Sequence, residues 1–231
     1  MNPPDPAAFL FYLGVIYESF SFLYGMFLHH SPFWLKAFFP GFTWHIPTKE
    51  KTIFLTFDDG PIPDVTENVL ELLAKFNAKA TFFSIGANVL KHPDVYEMVR
   101  NGGHSIGNHT FNHMNGWKTE DAVYLENIDE CQQQLNLETK LFRPPYGRIK
   151  KSQSRVVLQD KQIIMWDVLS GDFSPEISPE ICLKKSIQHT RPGSIVLFHD
   201  SIKASKNMLY ALPRYLETFT ERGYRFEALE M

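Results

Sequence analysis

The chain predicts an α/β fold: a barrel of parallel strands whose polar residues gather at the strands' C-terminal ends. Three observations carry that reading. From Lys51 onward short apolar runs alternate with helix-like segments, the pattern of parallel strands joined by right-handed crossovers. A length of 231 residues suffices for one barrel domain. Finally, Asp58 and Asp59, His109, Arg143 and Tyr146, Asp172, and His199 and Asp200 each follow a different strand. In a doubly wound open sheet such residues would be strung along an edge, whereas in a barrel they converge on one face. Seven strands in place of eight make the barrel irregular.

Each element has its own signal. "TIFLTFD" (Thr52 to Asp58) is a buried strand, and Asp64 with Glu67 at capping-box spacing opens a helix bearing Val65, Val69, Leu72, Leu73 and Phe76 on one face. "ATFFSIG" (Ala80 to Gly86) is the next strand, followed by a helix from Pro93 to Arg100. "HSIGNH" is the third, after which Thr119 is expected to cap a helix that turns Leu125, Ile128, Cys131 and Leu135 inward. Then come "KLFRPPYG", a short helix near Gln153 to Gln159, the strand "QIIMWDVLS", a helix opening at Ser178-Pro179, "SIVLFHD", a helix around Pro213 to Glu221, and "YRFEAL". The domain division is an apolar, aromatic extension over residues 1–50 and a main domain over 51–231.

Composition excludes several functions. A formal charge of -3 and a pI near 6.3 leave no footprint for nucleic acid, and the longest basic run, Arg148 to Lys151, is broken by Ile149. Cys131 and Cys182 show neither a CxxC spacing nor a disulfide framework, so reduced structural thiols are expected. Ala7 to Leu28 carries one charge, Glu18, and as a helix would be roughly 33 Å long, which makes it a membrane candidate. No Lys or Arg precedes it and no A-x-A site follows, so a cleavable signal peptide is not expected. Lys36, Lys49 and Lys51 on its C-terminal side would hold the main domain in the cytoplasm, free or membrane-anchored; the alternative is an aromatic helix packed on the domain or a misplaced start.

Two readings compete for residues 102–116. Gly103 to Gly107 spell G-x-S-x-G, the nucleophile elbow of serine hydrolases, with Ser105 as nucleophile and Asp172 and His199 in the right chain order. Against it, no convincing helix follows and no HGGG-type loop precedes. The rival is a metal site. His109 and His113, four apart, would share one face of a helical turn and, with one carboxylate, form an open two-histidine set that leaves a position for water. The adjacent carboxylates of "TFDDGP" repel each other unless a cation or an arginine compensates. "RPPYG" is stiffened by Pro144 and Pro145, fixing Arg143, which can pair with a carboxylate, and the Tyr146 amide, which can donate to an oxyanion. In "LFHD", His199 suits general acid work and Asp172 could orient it.

Taken together, "TFDDG", "HTFNH", "RPPYG", "SGDF" and "LFHD" resemble, in order and spacing, the polysaccharide deacetylases, carbohydrate esterase family 4, over about residues 51–229. The resemblance implies a distorted (β/α)7 barrel and metal-dependent removal of acetyl groups, usually from N-acetylated oligo- or polysaccharides. Position by position it implies Asp58 as catalytic base, and Asp59, His109 and His113 as ligands of one divalent ion, zinc first and cobalt next. Arg143 matches the residue that holds the base, the Tyr146 amide the oxyanion donor, His199 the general acid and Asp172 its partner. Leu197 matches a position lining the acetyl pocket. One departure concerns substrate preference: Phe173 follows Asp172 where tryptophan is common. Peptidoglycan is the preferred polymer, although a cytoplasmic enzyme would meet only precursors or imported fragments. A small-amide amidase and a non-catalytic carbohydrate-binding barrel are the other classes.

Overall fold

In the computed structural model, which describes residues 28–230, strand β2 (Thr52–Asp58) is the hub of the sheet. Its alternation sets the two layers of the core. Ile53, Leu55 and Phe57 point outward into a cluster with the helices, while Phe54 points inward to a smaller cluster with Phe83, Leu141, Ile164, Ile195 and Leu229. Fully buried side chains such as Phe57 contribute about 1.5–3 kcal/mol each, and the outer layer holds most of them.

The remaining strands are β1 (Phe42–Thr43), β3 (Ala80–Ser84), β4 (Ser105–Asn108), β5 (Leu141–Phe142), β6 (Gln162–Ile164), β7 (Val168–Leu169), β8 (Ile195–His199) and β9 (Arg225–Phe226). They run in the order β1-β6-β5-β4-β3-β2-β8-β7, with β9 paired to the foot of β2, and the strand pairs among the described residues are parallel. The helices are α1 (Phe33–Phe38), α2 (Val65–Lys75), α3 (Gly86–Lys91), α4 (Pro93–Asn101), α5 (Asp121–Leu135), α6 (Lys151–Val157), α7 (Pro179–His189) and α8 (Ser205–Glu221). The result is a curled parallel sheet with helices outside it, the distorted barrel expected from the strand-end pattern.

Several local expectations change. The segment expected to form one strand, "QIIMWDVLS", is split: β6 pairs with β5, β7 with β8, and residues 165–167 bridge the seam between the sheet's two flanks. There the carbonyls of Ile164 and Met165 accept from the Arg143 guanidinium. Thr119 does not cap α5; its hydroxyl donates to the Asn115 carbonyl, and Glu120 is the cap residue. Pro213 lies inside α8, because Met208, Ala211 and Leu212 before it are fully buried and outweigh the ~3 kcal/mol an interior proline costs. Helix α3 had no sequence signal of its own.

The described part of the N-terminal extension docks on the barrel: β1 pairs with β6, and the His45 ring bonds the Pro192 carbonyl. The membrane candidate over residues 7–28 lies outside the described residues apart from Leu28; among the described residues no helix is long and apolar enough to cross a membrane. Cys131 and Cys182 are buried and not bonded to each other.

Candidate active site

β2 and β8 lie side by side with Asp58 in register with His199, and β4 adjoins β5, so that Arg143 follows one strand end and His109 the next. That packing brings the ten residues singled out above to one end of the barrel. Asp59, His109 and His113 place one ligand atom each within 4.8 Å of the others. The Asp59 Oδ1 atom is 3.7 Å from His109 Nε2 and 3.2 Å from His113 Nε2.

The two histidines do not share a helical turn. Residues 109–113 form a loop in which Thr110 and His113 have φ of 61° and 54°. Asparagine side chains take the amides a helix would need: the Asn108 Oδ1 atom accepts from Thr110 N–H, and Asn127 Oδ1 from Phe111 and Asn112 N–H. Among the described residues seven non-glycine residues have positive φ, and four of them, Asp59, Thr110, His113 and Tyr146, are at this site. A β-branched residue such as Thr110 is a real outlier there, so the loop holds strain where the ligand atoms converge.

Protonation fits a cation. His109 Nδ1–H donates to the Arg143 carbonyl at 2.7 Å, which turns the Nε2 lone pair toward Asp59. Burial pushes the His109 pKa down to about 4, so the ring is a neutral donor at neutral pH. For Asp59, burial pushes upward but is outweighed by the His113 hydrogen bond and the charge of His199, which hold the carboxyl well below the usual range. A carboxylate and two imidazoles suit zinc or cobalt by donor type.

Arg143 is fully buried, and it grips Asp58 by one bond only, from Nη1 to Oδ1 at 2.7 Å. A bidentate fork does not form because its other donors go to the Thr56 hydroxyl and the carbonyls of Ile164 and Met165. Asp58 Oδ2 is thereby turned toward His109 Nε2, 3.8 Å away. Tyr146, 59% exposed, has φ of 61° in the turn that Pro144 and Pro145 set, and its ring lies 4.6 Å from that of His113.

Opposite them, both oxygens of buried Asp172 engage His199: Oδ1 meets ring Nδ1 at 2.8 Å and Oδ2 accepts the backbone N–H at 2.7 Å. Burial alone would lower the His199 pKa, but the Asp172 charge and hydrogen bond overcome it and raise it to about 9. Phe173 packs edge-on to His199 at 5.2 Å, and Leu197 lies two residues below on the same inward face of β8. Ser105 belongs to none of this; its hydroxyl donates to the Leu229 carbonyl at 2.8 Å, so the nucleophile-elbow reading loses its nucleophile.

Sequence reading assigned no role to three residues that shape the site. Asp200 is buried and accepts from Gly60 N–H at 3.0 Å and the Thr66 hydroxyl at 2.7 Å, bracing the Asp58-Asp59 loop. Burial pushes its pKa up to about 8, and a Cβ on Gly60 would meet its Oδ2 at 1.9 Å. Asn88, on the unanticipated α3, donates to the Asp59 carbonyl at 2.7 Å. Asn127, on α5, shapes the histidine loop from 14 or more residues away in sequence.

Residues 45–162 match the family model described as polysaccharide deacetylase. A peptidoglycan-N-acetylglucosamine deacetylase of Bacillus cereus is 34% identical over 190 residues, 80% of this chain and 89% of its own. A chitooligosaccharide deacetylase of Azorhizobium caulinodans is 35% identical over 162 residues, 67% of this chain and 76% of its own. A crystal structure of a peptidoglycan N-acetylglucosamine deacetylase matches at a TM-score of 0.79 and 30% identity, covering 86% of this chain and 95% of that one. With that fold, these motifs and matches over most of its length, the chain belongs to the polysaccharide deacetylase family.

Proposed function

We propose that this protein is a metal-dependent hydrolase that removes acetyl groups from N-acetylated sugars, with peptidoglycan or its fragments as the polymer and zinc as the ion. The observation that carries the reading is geometric: Asp59, His109 and His113 converge on one point, beside an Asp58 held by Arg143 and a His199 held by Asp172. Asp59, His109 and His113 would hold the cation, which when bound acidifies water and polarises the acetamide carbonyl.

The chain's own residues divide the rest of the work. Asp58, positioned by Arg143, takes a proton from the attacking water. The Tyr146 amide donates to the oxyanion that develops on the carbonyl, a contribution worth about 10²–10³ in rate where such donors are removed. His199, kept charged by Asp172, gives its Nε2 proton to the departing nitrogen as the C–N bond breaks. Acetate and a free amine result. Leu197 and Phe173 supply apolar walls for the acetyl methyl.

The test is acetate release from N-acetylglucosamine oligomers, peptidoglycan fragments and small acetamides, before and after chelation and after zinc is returned. Release from the sugars that chelator abolishes and zinc restores is the expected result. Release from small acetamides alone would make the protein an amidase, and metal binding without release from any substrate would make it a non-catalytic barrel.

A further inference from the structure

Residues 165–167 cross the seam between β6 and β7, and their groups divide between two sets of partners. One set belongs to the site. The Met165 carbonyl accepts from Arg143 Nη2 at 2.9 Å, next to the Ile164 carbonyl, which accepts from Nε at 3.0 Å. The Arg143 Cζ atom is also 5.9 Å from the Trp166 ring centroid. The same ring lies against the turn that carries Tyr146: a Cβ on Gly147 would meet Trp166 Cη2 at 2.7 Å and Met165 Cε at 3.2 Å. The crossing therefore backs both the guanidinium that grips Asp58 and the turn that presents the Tyr146 amide.

The other set lies in the N-terminal extension and β8. Ser31 bonds the crossing twice, its hydroxyl donating to the Trp166 carbonyl at 2.6 Å and its backbone N–H to the Asp167 carbonyl at 3.0 Å. Met165 N–H donates to the Thr43 carbonyl at 2.7 Å, and Asp167 N–H to that of Ile195 at 2.9 Å. The Asp167 carboxylate is fully buried and accepts from Lys36 Nζ, from the Ser194 hydroxyl at 2.9 Å and from Arg191 Nε at 3.3 Å. Burial pushes its pKa up, but the Lys36 and Arg191 bonds outweigh burial and hold it below the usual carboxylate range. A buried charge stays where its partners offset the lost hydration, so Lys36 anchors Asp167 from 131 residues away in sequence. Arg143 is itself fully buried, with its donors committed to Thr56, Asp58 and the two carbonyls, so a displaced crossing either moves the guanidinium or leaves it underbonded.

We propose that Ser31 and Lys36 are positioning residues of the active site: through the crossing at residues 165–167, Lys36 by way of Asp167, they fix the Arg143 guanidinium and with it the Asp58 carboxylate. The segment 28–46, which the sequence assigns to an extension, is thereby part of the catalytic unit. A group misplaced by about 1 Å can cost about 10²-fold in rate, so turnover is where a loosened crossing shows. The effect on turnover rests on the deacetylase reading, whereas the hold on Arg143 is measurable without it.

Three quantities would be measured on the zinc-loaded full chain: exchange of the Arg143 Nε proton by nitrogen-15 NMR, its signal identified by its loss in Arg143→Lys; bound zinc; and kcat and KM for acetate release from N-acetylglucosamine tetramer. Buried and bonded to the Ile164 carbonyl, the Nε proton of the unaltered protein is expected to exchange slowly. Ser31→Ala and Lys36→Met should each speed that exchange about tenfold, while the amides of α8, which makes none of these bonds, exchange as before. kcat should fall about fivefold in the first and about tenfold in the second, with KM and bound zinc unchanged. Lys36→Arg should restore both exchange and kcat. In an Arg143→Lys background the two substitutions should cost less than about twofold in kcat, because the group they act through is gone. Ser31→Ala removes a single oxygen and carries the test alone if Lys36→Met does not fold. Unchanged Nε exchange would overturn the proposal whether or not acetate is released, as would kcat losses undiminished in the Arg143→Lys background. Faster exchange in a chain that releases no acetate would leave the hold on Arg143 standing and remove the deacetylase reading.

Discussion

Two histidines in one cleft, His109 buried and His199 partly so, are driven in opposite directions: His109 down to about 4 and His199 up to about 9. Burial disfavours the charged ring at both, so burial does not decide the outcome. The partner does. His109 offers Nδ1–H to a carbonyl, and the Asp58 and Asp59 charges near its other nitrogen do not outweigh desolvation. His199 has a buried carboxylate at its Nδ1, close enough for charge and hydrogen bond to act together. One ring is left neutral and able to ligate; the other is kept charged and able to donate.

The largest expected effect removes the neutral side. His109→Ala should weaken divalent metal binding by more than the 10–100-fold typical of changes to groups that merely support a ligand, and activity should fall to background. Elemental analysis after dialysis checks this: metal retained near one per chain would remove His109 from the ligand set. Next, Asp58→Asn separates the two jobs of the adjacent carboxylates. Because the Asp58 charge favours a proton on His109, losing it leaves His109 at least as good a ligand, so metal should remain. kcat should drop by about 10²–10⁴, the usual contribution of a positioned acid or base. Full activity with metal bound would take the base role away from Asp58.

The charged side is broken by Asp172→Asn. Asp172 supplies the two largest influences that raise His199, so the variant's ring should lose its proton well below pH 9. The alkaline limb of kcat/KM should move toward acid by more than one unit, with kcat at pH 8 falling at least about tenfold. Stability has the same sign. A histidine raised above its ordinary 6.5 adds stability that is fully present below that pH and is lost as pH rises through about 9. The difference in Tm between unaltered protein and variant should therefore be widest near pH 6 and shrink by pH 9.5. An unmoved alkaline limb would mean that the proton donated to the leaving nitrogen is not held on His199.

The contrast between the histidines was only partly legible in the sequence. Short apolar runs ending in Asp58 or His199 give the strand and the end of the sheet at which its last polar residue emerges. Asp172 as the partner of His199 was readable as chemistry, though its second bond, to the His199 backbone, was not. What escaped depends on residues distant in sequence. Asn127 shapes the His109-His113 loop from another element, Arg143 takes carbonyls at the seam between β6 and β7, and Asp200 braces Gly60 from the neighbouring strand. A helical reading of H-x-x-x-H counts only local spacing and could not anticipate side chains that outcompete the helix for its amides. Pro213 failed likewise: a local start signal lost to the burial of the residues before it.

The smallest effect sharpens the comparison at Phe173, the ring beside the charged histidine. Phe173 meets His199 edge-on at 5.2 Å and also lies 5.7 Å from Lys203 Nζ, so its ring is packed between the acid and a surface cation. Such ring contacts are worth about 0.5–1.5 kcal/mol, so Phe173→Ala should cost up to about tenfold in kcat/KM. Phe173→Trp keeps an aromatic wall and should stay within about threefold on N-acetylglucosamine oligomers. If the ring only covers His199, the two variants should rank the same way on every substrate. If it also lines the acetyl pocket, the larger indole should favour acetamide over bulkier N-acyl groups, so the ratio of kcat/KM for N-acetyl and N-propionyl sugars decides between them. An unchanged ratio in both variants would leave Phe173 as packing for the charged histidine and put the acyl preference on Leu197, which is buried on the same face of β8.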